Sequence, residues 1–95
     1  MFELGLLYYR AGRKDDAVNQ LQRAILLSPD YANAHWYLAL IYEEKGDISG
    51  AIEQLNKILN VEVNKDNKVV LGKLDQLKSG KKIIPPPKVL DQKPL

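Results

Sequence analysis

Apolar residues recur at the three- and four-residue spacing of amphipathic helices along most of the chain. In the first stretch, Leu4, Leu7 and Tyr8 share one helical face, and Gly12 follows where a left-handed cap residue is favoured. A second helix is predicted over about residues 14–27. Its apolar face consists of Ala17, Val18, Leu21, Ala24 and Ile25. Together the two stretches predict a helical hairpin over about residues 1–29.

A second hairpin is predicted over about residues 30–63. Pro29 disfavours helix at Ser28 and is suited to begin the next helix. We expect that helix over about residues 30–45, a turn at Gly46 and Asp47, and another helix over about residues 48–60. No stretch shows the strict two-residue alternation of a strand, so the pattern favours an all-α fold.

The two hairpins are related by an offset of 34 residues. Seven positions of segment 1–27 are identical in segment 35–61, whereas average residue usage gives roughly two. The identical pairs are Leu4/Leu38, Leu6/Leu40, Tyr8/Tyr42, Gly12/Gly46, Ala17/Ala51, Gln20/Gln54 and Leu21/Leu55. Small residues recur as well, at Gly5 and Ala39 and at Ala17 and Ala51. We expect them where two antiparallel helices approach closely.

A further helix, over about residues 64–79, follows the second hairpin in the sequence pattern. Asn64 or Asp66 is expected to cap its start. Its apolar face consists of Val70, Leu74 and Leu77. The pair Ser79 and Gly80 is expected to end it. The other flank is polar, which suits the terminal capping helix of a repeat protein. Leu71-Gly72 matches Leu4-Gly5, so a degenerate half-repeat is the alternative interpretation.

The last residues, 81–95, differ in composition from the rest of the chain. Three consecutive prolines and several lysines predict an extended or disordered tail. This end also supplies the net charge of +2: residues 1–77 carry 9 Lys/Arg and 11 Asp/Glu, and residues 78–95 carry 5 Lys and 1 Asp. Because the helical part is mildly acidic, we predict no nucleic-acid partner.

The residues that most enzymes and metal sites need are scarce. Cysteine is absent and His35 is the single histidine, so we predict no catalytic residues, no cofactor and no metal site. We expect His35, near a helix start, to have a capping or surface role. The adjacent carboxylates Asp15/Asp16 and Glu43/Glu44 diverge on a helix, and we expect them to be solvated rather than to form an acid–base pair.

Two features bear on location. No apolar run approaches the roughly 20 residues that a membrane-spanning helix needs, so direct membrane insertion is not expected. The first residues show no basic segment followed by an apolar core. If Met1 is the true start, we expect the protein to be cytoplasmic.

The motif residues of the two hairpins resemble the tetratricopeptide repeat. In the first unit the resemblance rests on Leu4, Gly5, Tyr8, Ala17, Leu21, Ala24 and Pro29. In the second it rests on Leu38, Ala39, Tyr42, Ala51, Leu55 and Ile58. His35 occupies the slot of the family's signature tryptophan, with Trp36 one position later, and Val63 replaces the closing proline. The resemblance implies an α-α superhelix of two helix hairpins plus a capping helix over residues 1–80.

In that family the first helix of each repeat lines a concave groove that receives a partner peptide. The resemblance therefore implies a non-catalytic interaction module whose partner is a protein or peptide. It places the groove residues at Phe2, Leu6, Tyr9, Arg10, Asn33, Trp36, Tyr37, Leu40, Glu43 and Glu44. Most of these are aromatic or aliphatic, which favours an apolar or aromatic peptide over the C-terminal carboxylate that one branch of the family clamps with basic residues.

Two alternatives stay open. The apolar face is large enough to be covered by another copy of the chain, which predicts a self-association module and a homo-oligomer, most simply a dimer. The ending from Leu74 through the prolines also resembles the C-termini of some bacterial repeat proteins whose earlier parts are membrane-embedded glycan-assembly enzymes. That resemblance implies the C-terminal repeat tail of a larger bacterial membrane protein.

Overall fold

A computed structural model describes residues 1–80 as five α-helices and one short 3₁₀ turn, with no strand in that range. The helices are α1 Phe2–Arg10, α2 Lys14–Leu27, α3 Ala32–Glu44, α4 Ile48–Leu59 and α5 Lys68–Ser79, and the 3₁₀ turn is Glu62–Asn64. Helices α1 and α2 form one hairpin, α3 and α4 form the next, and α5 packs on α4. The predicted all-α architecture is confirmed. The predicted tail over residues 81–95 lies outside the described residues.

Two predicted helix starts were wrong, for reasons of local hydrogen bonding. Helix α3 begins two residues later than expected, because the Tyr31 amide donates to the Ser28 carbonyl at 3.0 Å and closes a turn there. Helix α5 begins after Asn67. The side-chain oxygen of Asn67 accepts from the amides of Val69 and Val70 at 3.0 and 3.1 Å, so Asn67, and neither of the predicted residues, caps the helix.

The turns of the two hairpins repeat the same hydrogen bonds 34 residues apart. Gly12 and Gly46 adopt the left-handed conformation, with φ of 81° and 85°. The next residue along the chain donates its amide proton to the carbonyl of Tyr8 in the first hairpin and of Tyr42 in the second, at 2.8 Å in both. This is the Schellman pattern of helix ends, and it confirms the expected role of Gly12.

Small residues let the helices within each hairpin approach closely. Ala17, Ala39 and Ala51 are fully buried, and a Cβ atom added to Gly5 would lie 2.9 Å from the Cγ atom of Leu21. The close approach expected from the repeat is therefore confirmed. The buried core continues along the molecule as two clusters, which meet at the partly buried Tyr42.

The predicted core face of α1 was largely wrong. Leu4 and Leu7 are 40% and 61% exposed, whereas their counterparts Leu38 and Ile41 are 1% and 0% exposed. The difference has a direct cause, because α2 packs over Leu38 and Ile41. Within the described residues no helix covers the equivalent side of α1.

Helix α5 packs on the second hairpin through its apolar stripe. Its buried residues are Val70, Leu74 and Leu77, which join the core of the second hairpin. Gly72 has no atom within 4 Å of an added Cβ, in contrast to Gly5, and Leu71 is 41% exposed. The similarity of Leu71-Gly72 to Leu4-Gly5 therefore does not reflect an equivalent position.

The expected surface or capping role of His35 was also wrong, since this side chain is buried. Its Nδ1 atom lies 2.6 Å from Oε1 of the buried Gln54, and its Nε2 atom lies 2.7 Å from the carbonyl oxygen of Pro29. A carbonyl accepts, so Nε2 donates to Pro29. The neutral ring then accepts at Nδ1, so its pairing with Gln54 requires the N–H group of that side-chain amide in the place of Oε1. The imidazole thereby ties the turn between the hairpins to α3 and α4.

We expect alanine at two of the helical glycines, Gly5 and Gly72, to change stability in opposite directions. Gly5→Ala should destabilise the fold by about 1–2 kcal/mol, because its methyl group would overlap the buried Leu21. Gly72→Ala should stabilise it by about 0.5–1 kcal/mol, because the position is open and alanine favours helix. Urea unfolding of both variants measures the difference. A stabilising Gly5→Ala would contradict the described packing of α1 on α2.

Candidate protein-binding site

Helices α1, α3 and α5 follow one another along one side of the molecule, which we call the α1/α3/α5 face. Two aromatic contacts and a Tyr9–Glu44 hydrogen bond connect α1 to α3. A third aromatic contact connects α1 to the residues before α3. An ion pair between Lys73 and Glu43 connects α3 to α5. The sequence-predicted groove residues are therefore carried mainly by α1 and α3, the first helices of the two repeats.

The α1 end of this face is filled by the chain's own aromatic rings. The ring centroid of Phe2 lies 5.0 Å from that of Tyr31 and 5.9 Å from that of Tyr37. Tyr9 meets Tyr37 edge-to-face at 5.8 Å. Such pairs are mutually stabilising. Less aromatic surface is therefore open here than the sequence analysis expects, and these rings hold the first repeat against the second.

Tyr9 is also held by a charged partner. Its hydroxyl donates to Oε2 of Glu44 at 2.7 Å, and Oε1 of the same carboxylate lies 3.5 Å from Nζ of Lys14. Burial, followed by the hydrogen bond and the negative charge of Glu44, raises the pKa of Tyr9 to about 12. Glu44 thus has two partners in the first hairpin and is not a free carboxylate at the rim of a groove.

The open part of the face is a groove between α3 and α5 with a volume of about 450 Å³. Trp36 and Leu40 form its α3 wall, and the α5 wall consists of Lys68, Val69, Gly72, Lys73 and Gln76. The groove is wide partly because Gly72 presents no side chain to it. Trp36 is half-buried, since one part of its ring packs on the core of the second hairpin. The rest of the indole is available to a partner.

A smaller hollow of about 290 Å³ adjoins the groove on the other side of Trp36. It lies between the start of α3 and the turn that leads into α5. Its lining residues are Ala32, Asn33, Trp36, Ile58, Asn64, Asn67, Val69 and Val70. Trp36 and Val69 therefore line both of these neighbouring depressions, and a ligand that spans the two would contact both side chains.

The pair of Lys73 and Glu43 lies beside the groove. Their charged atoms are 2.6 Å apart, and the two side chains are only 13% and 25% exposed. Partial burial weakens solvent screening, so this pair is stronger than an ordinary surface ion pair. It fixes α5 relative to α3, and it occupies the carboxylate of Glu43.

The structure divides the predicted site residues into four groups. Asn33, Trp36 and Leu40 line the open groove and its adjoining hollow. The aromatic cluster contains Phe2, Tyr9 and Tyr37. The charged pairs contain Glu43 and Glu44. The half-buried Leu6 and the exposed Arg10 lie on the flanks of α1.

The contribution of α5 to the groove was not predicted from the sequence. Val69, Gly72 and Gln76 line the groove, although the sequence analysis treated this helix only as a cap. Their spacing of three and four residues places them on one face of α5, beside the buried stripe. That spacing was visible in the sequence, but its meaning depended on how α5 turns toward α4.

Neither a metal cluster nor a membrane span is found in the part of the chain that the structure describes. Residues 1–80 contain no group of three or more His, Asp or Glu side chains placed to hold a metal ion. None of the helices described there is long and apolar enough to cross a membrane.

Comparison with known families identifies the fold. The sequence profile of the tetratricopeptide repeat matches residues 2–66. The chain therefore belongs to the tetratricopeptide repeat family, whose repeats generally mediate protein–protein interaction and are typically non-catalytic. The groove thus lies within a fold of protein-binding type.

One individual relative is similar over about two thirds of the chain. The chain is 36% identical over 61 residues to the uncharacterized protein ycf37 of Pyropia yezoensis, an alignment that covers 64% of this chain and 34% of that protein. The chain therefore spans about a third of the length of the curated relative it matches.

The Tyr9–Glu44 contact predicts a pH dependence. Because the folded-state pKa of about 12 lies above the ordinary value of 10.0, the folded chain holds the Tyr9 proton more tightly than the unfolded chain. Its contribution to stability is present below pH 10 and is lost as the pH rises toward 12. Replacing Tyr9 with phenylalanine should remove a phenolate transition near pH 12 in the absorbance at 295 nm. An unchanged titration curve would contradict this contact.

Proposed function

We propose that this protein is a non-catalytic interaction module that binds an apolar or aromatic peptide segment in the groove between α3 and α5. The observation that carries the proposal is the half-buried Trp36, which stands between two apolar depressions with Leu40 beside it. Tryptophan is a frequent anchor of protein interfaces because its large ring offers much contact area for little loss of side-chain entropy.

The dimensions of the groove favour a short apolar contact. Its α5 wall extends from Lys68 to Gln76, about 12 Å at the rise of an α-helix. Extended peptide rises by about 3.3 Å per residue, so the groove accommodates about four residues. Val69, which is 68% exposed, lines both depressions and extends the apolar surface. We therefore propose that a partner inserts one or two large apolar side chains, one on each side of Trp36.

Several polar groups around the groove are already engaged within the chain, although Lys68 in its α5 wall forms no ion pair among residues 1–80. Lys73 is paired with Glu43, and the side-chain oxygen of Asn67 caps α5. Glu43 and Glu44 are also engaged within the chain, so the geometry offers a basic peptide residue no unpaired acidic partner at these positions. Asn33 is exposed at the edge of the smaller hollow, where its amide is placed to hydrogen-bond a peptide backbone.

Peptide selection combined with a groove-filling variant tests the proposal. Peptides of 12 random residues, displayed on phage and selected on the full chain, should be enriched in pairs of Leu, Ile, Phe or Trp. Their affinity is measured by the fluorescence of Trp36, the single tryptophan. Gly72→Leu should weaken binding at least tenfold, because leucine there fills the groove without meeting any other part of the fold.

The matched control places the same side chain elsewhere on the same helix. Asp75 is exposed and does not line the groove, so Asp75→Leu should leave the affinity within about twofold. Equal binding by the wild type and Gly72→Leu would refute the groove as the site. Enrichment of peptides that bind only through a free C-terminal carboxylate would refute the proposed partner chemistry.

A further inference from the structure

A second apolar surface lies on the opposite flank of the first repeat, away from α5. It consists of exposed side chains on α1 and at the end of α2: Met1, Leu4, Leu7 and Leu27, with exposed fractions of 47%, 40%, 61% and 69%. Met1 and Leu27 line a common hollow together with Glu3 at the start of α1. We call this surface the outer α1 face. It is separate from the groove at Trp36.

The internal repeat shows how the equivalent face of α3 is used. Moving 34 residues along the chain carries Glu3, Leu4, Leu7 and Arg10 to Tyr37, Leu38, Ile41 and Glu44. All four of these residues on α3 contact the first hairpin. Leu38 and Ile41 are buried against α2, Tyr37 packs on Phe2 and Tyr9, and Glu44 binds Tyr9 and Lys14. The outer α1 face therefore has the form of a helix-stacking surface that no described residue covers.

Charge on this face indicates which partner fits it. Glu3 and Arg10 are both exposed, and neither forms an ion pair within residues 1–80. Their spacing of seven residues places them on one side of α1, about 10 Å apart, with Leu7 between them. An antiparallel copy of α1 would place Arg10 opposite Glu3 and Glu3 opposite Arg10. The same surface then satisfies both members of a two-fold pair.

We propose that the outer α1 face binds a second copy of this chain through antiparallel pairing of the two α1 helices. Leu4 and Leu7 of each copy form the apolar centre, and two Glu3–Arg10 ion pairs flank it. Met1 and Leu27 enlarge the contact at its ends. The contact is confined to one flank of the nine-residue α1 and the end of α2, so we expect a weak dimer with a dissociation constant on the order of 10 μM.

Sedimentation equilibrium of the full 95-residue chain between 1 and 200 μM tests the association. The wild type should change from monomer to dimer across this range, and Leu7→Lys should raise the dissociation constant at least tenfold. Leu7 is largely exposed, so this variant should keep the helical circular dichroism and thermal midpoint of the wild type. Val63→Lys, at an 89% exposed residue outside this face, is the matched control and should dimerise normally.

A charge exchange distinguishes the proposed geometry from general stickiness. Glu3→Arg and Arg10→Glu should each weaken the dimer about threefold to tenfold, because each places like charges opposite one another. The double variant should restore wild-type affinity, because both cross-dimer pairs are then reversed together. Recovery of this kind is specific to a pairing in which residues 3 and 10 face each other.

The remaining outcomes decide against the proposal. A chain that stays monomeric at 200 μM would overturn it, and would leave this face to a helix of different origin. A dimer that tolerates Leu7→Lys but is lost in Gly72→Leu would also overturn it, because the groove would then be the interface. Peptide binding is measured separately through Trp36. Leu7→Lys should retain that binding whether or not the dimer forms, so the two proposals fail independently.

Discussion

The packing of α3 between the two hairpins is the interaction on which the rest of the structure depends. One side of this helix contributes Ala34, Leu38 and Ile41 to the core of the first hairpin, and Ala39 joins the core of the second. The two cores are therefore continuous through a single helix. Buried His35 adds a polar connection to α4 and to the turn before α3. These contacts fix how one repeat is placed on the next.

The groove is a geometric consequence of that packing. Because α3 uses two sides to contact neighbouring helices, Trp36 and Leu40 are left on the side that faces α5. Helix α5 buries Val70, Leu74 and Leu77 on α4, which turns Val69 and Gly72 toward Trp36. The site therefore needs no irregular loop to position it. The absence of a side chain at Gly72 and the large ring of Trp36 supply its depth.

The repeat and its turns were predictable because they are set by local constraints. A positive φ at Gly12 and Gly46 and close approach at Gly5 each restrict the residue type at one position. The exposure of Leu4 and Leu7 and the burial of His35 could not be predicted in the same way. It depends on whether a helix distant in sequence lies over each residue, and periodicity shows an apolar face without showing what covers it. The α5 wall of the groove could not be predicted for the same reason.

The two ends of the described helices differ in chemistry, and this difference constrains any assembly. The outer side of α5 carries the exposed charges of Lys68, Asp75 and Lys78, as a terminal cap does. The outer α1 face carries exposed leucines. Stacking of copies from head to tail would bury those charges against apolar residues and would continue without limit, whereas pairing of two α1 faces buries like with like and closes after one contact. The proposed pairing through α1 would therefore end at a pair and would leave the groove of each copy open.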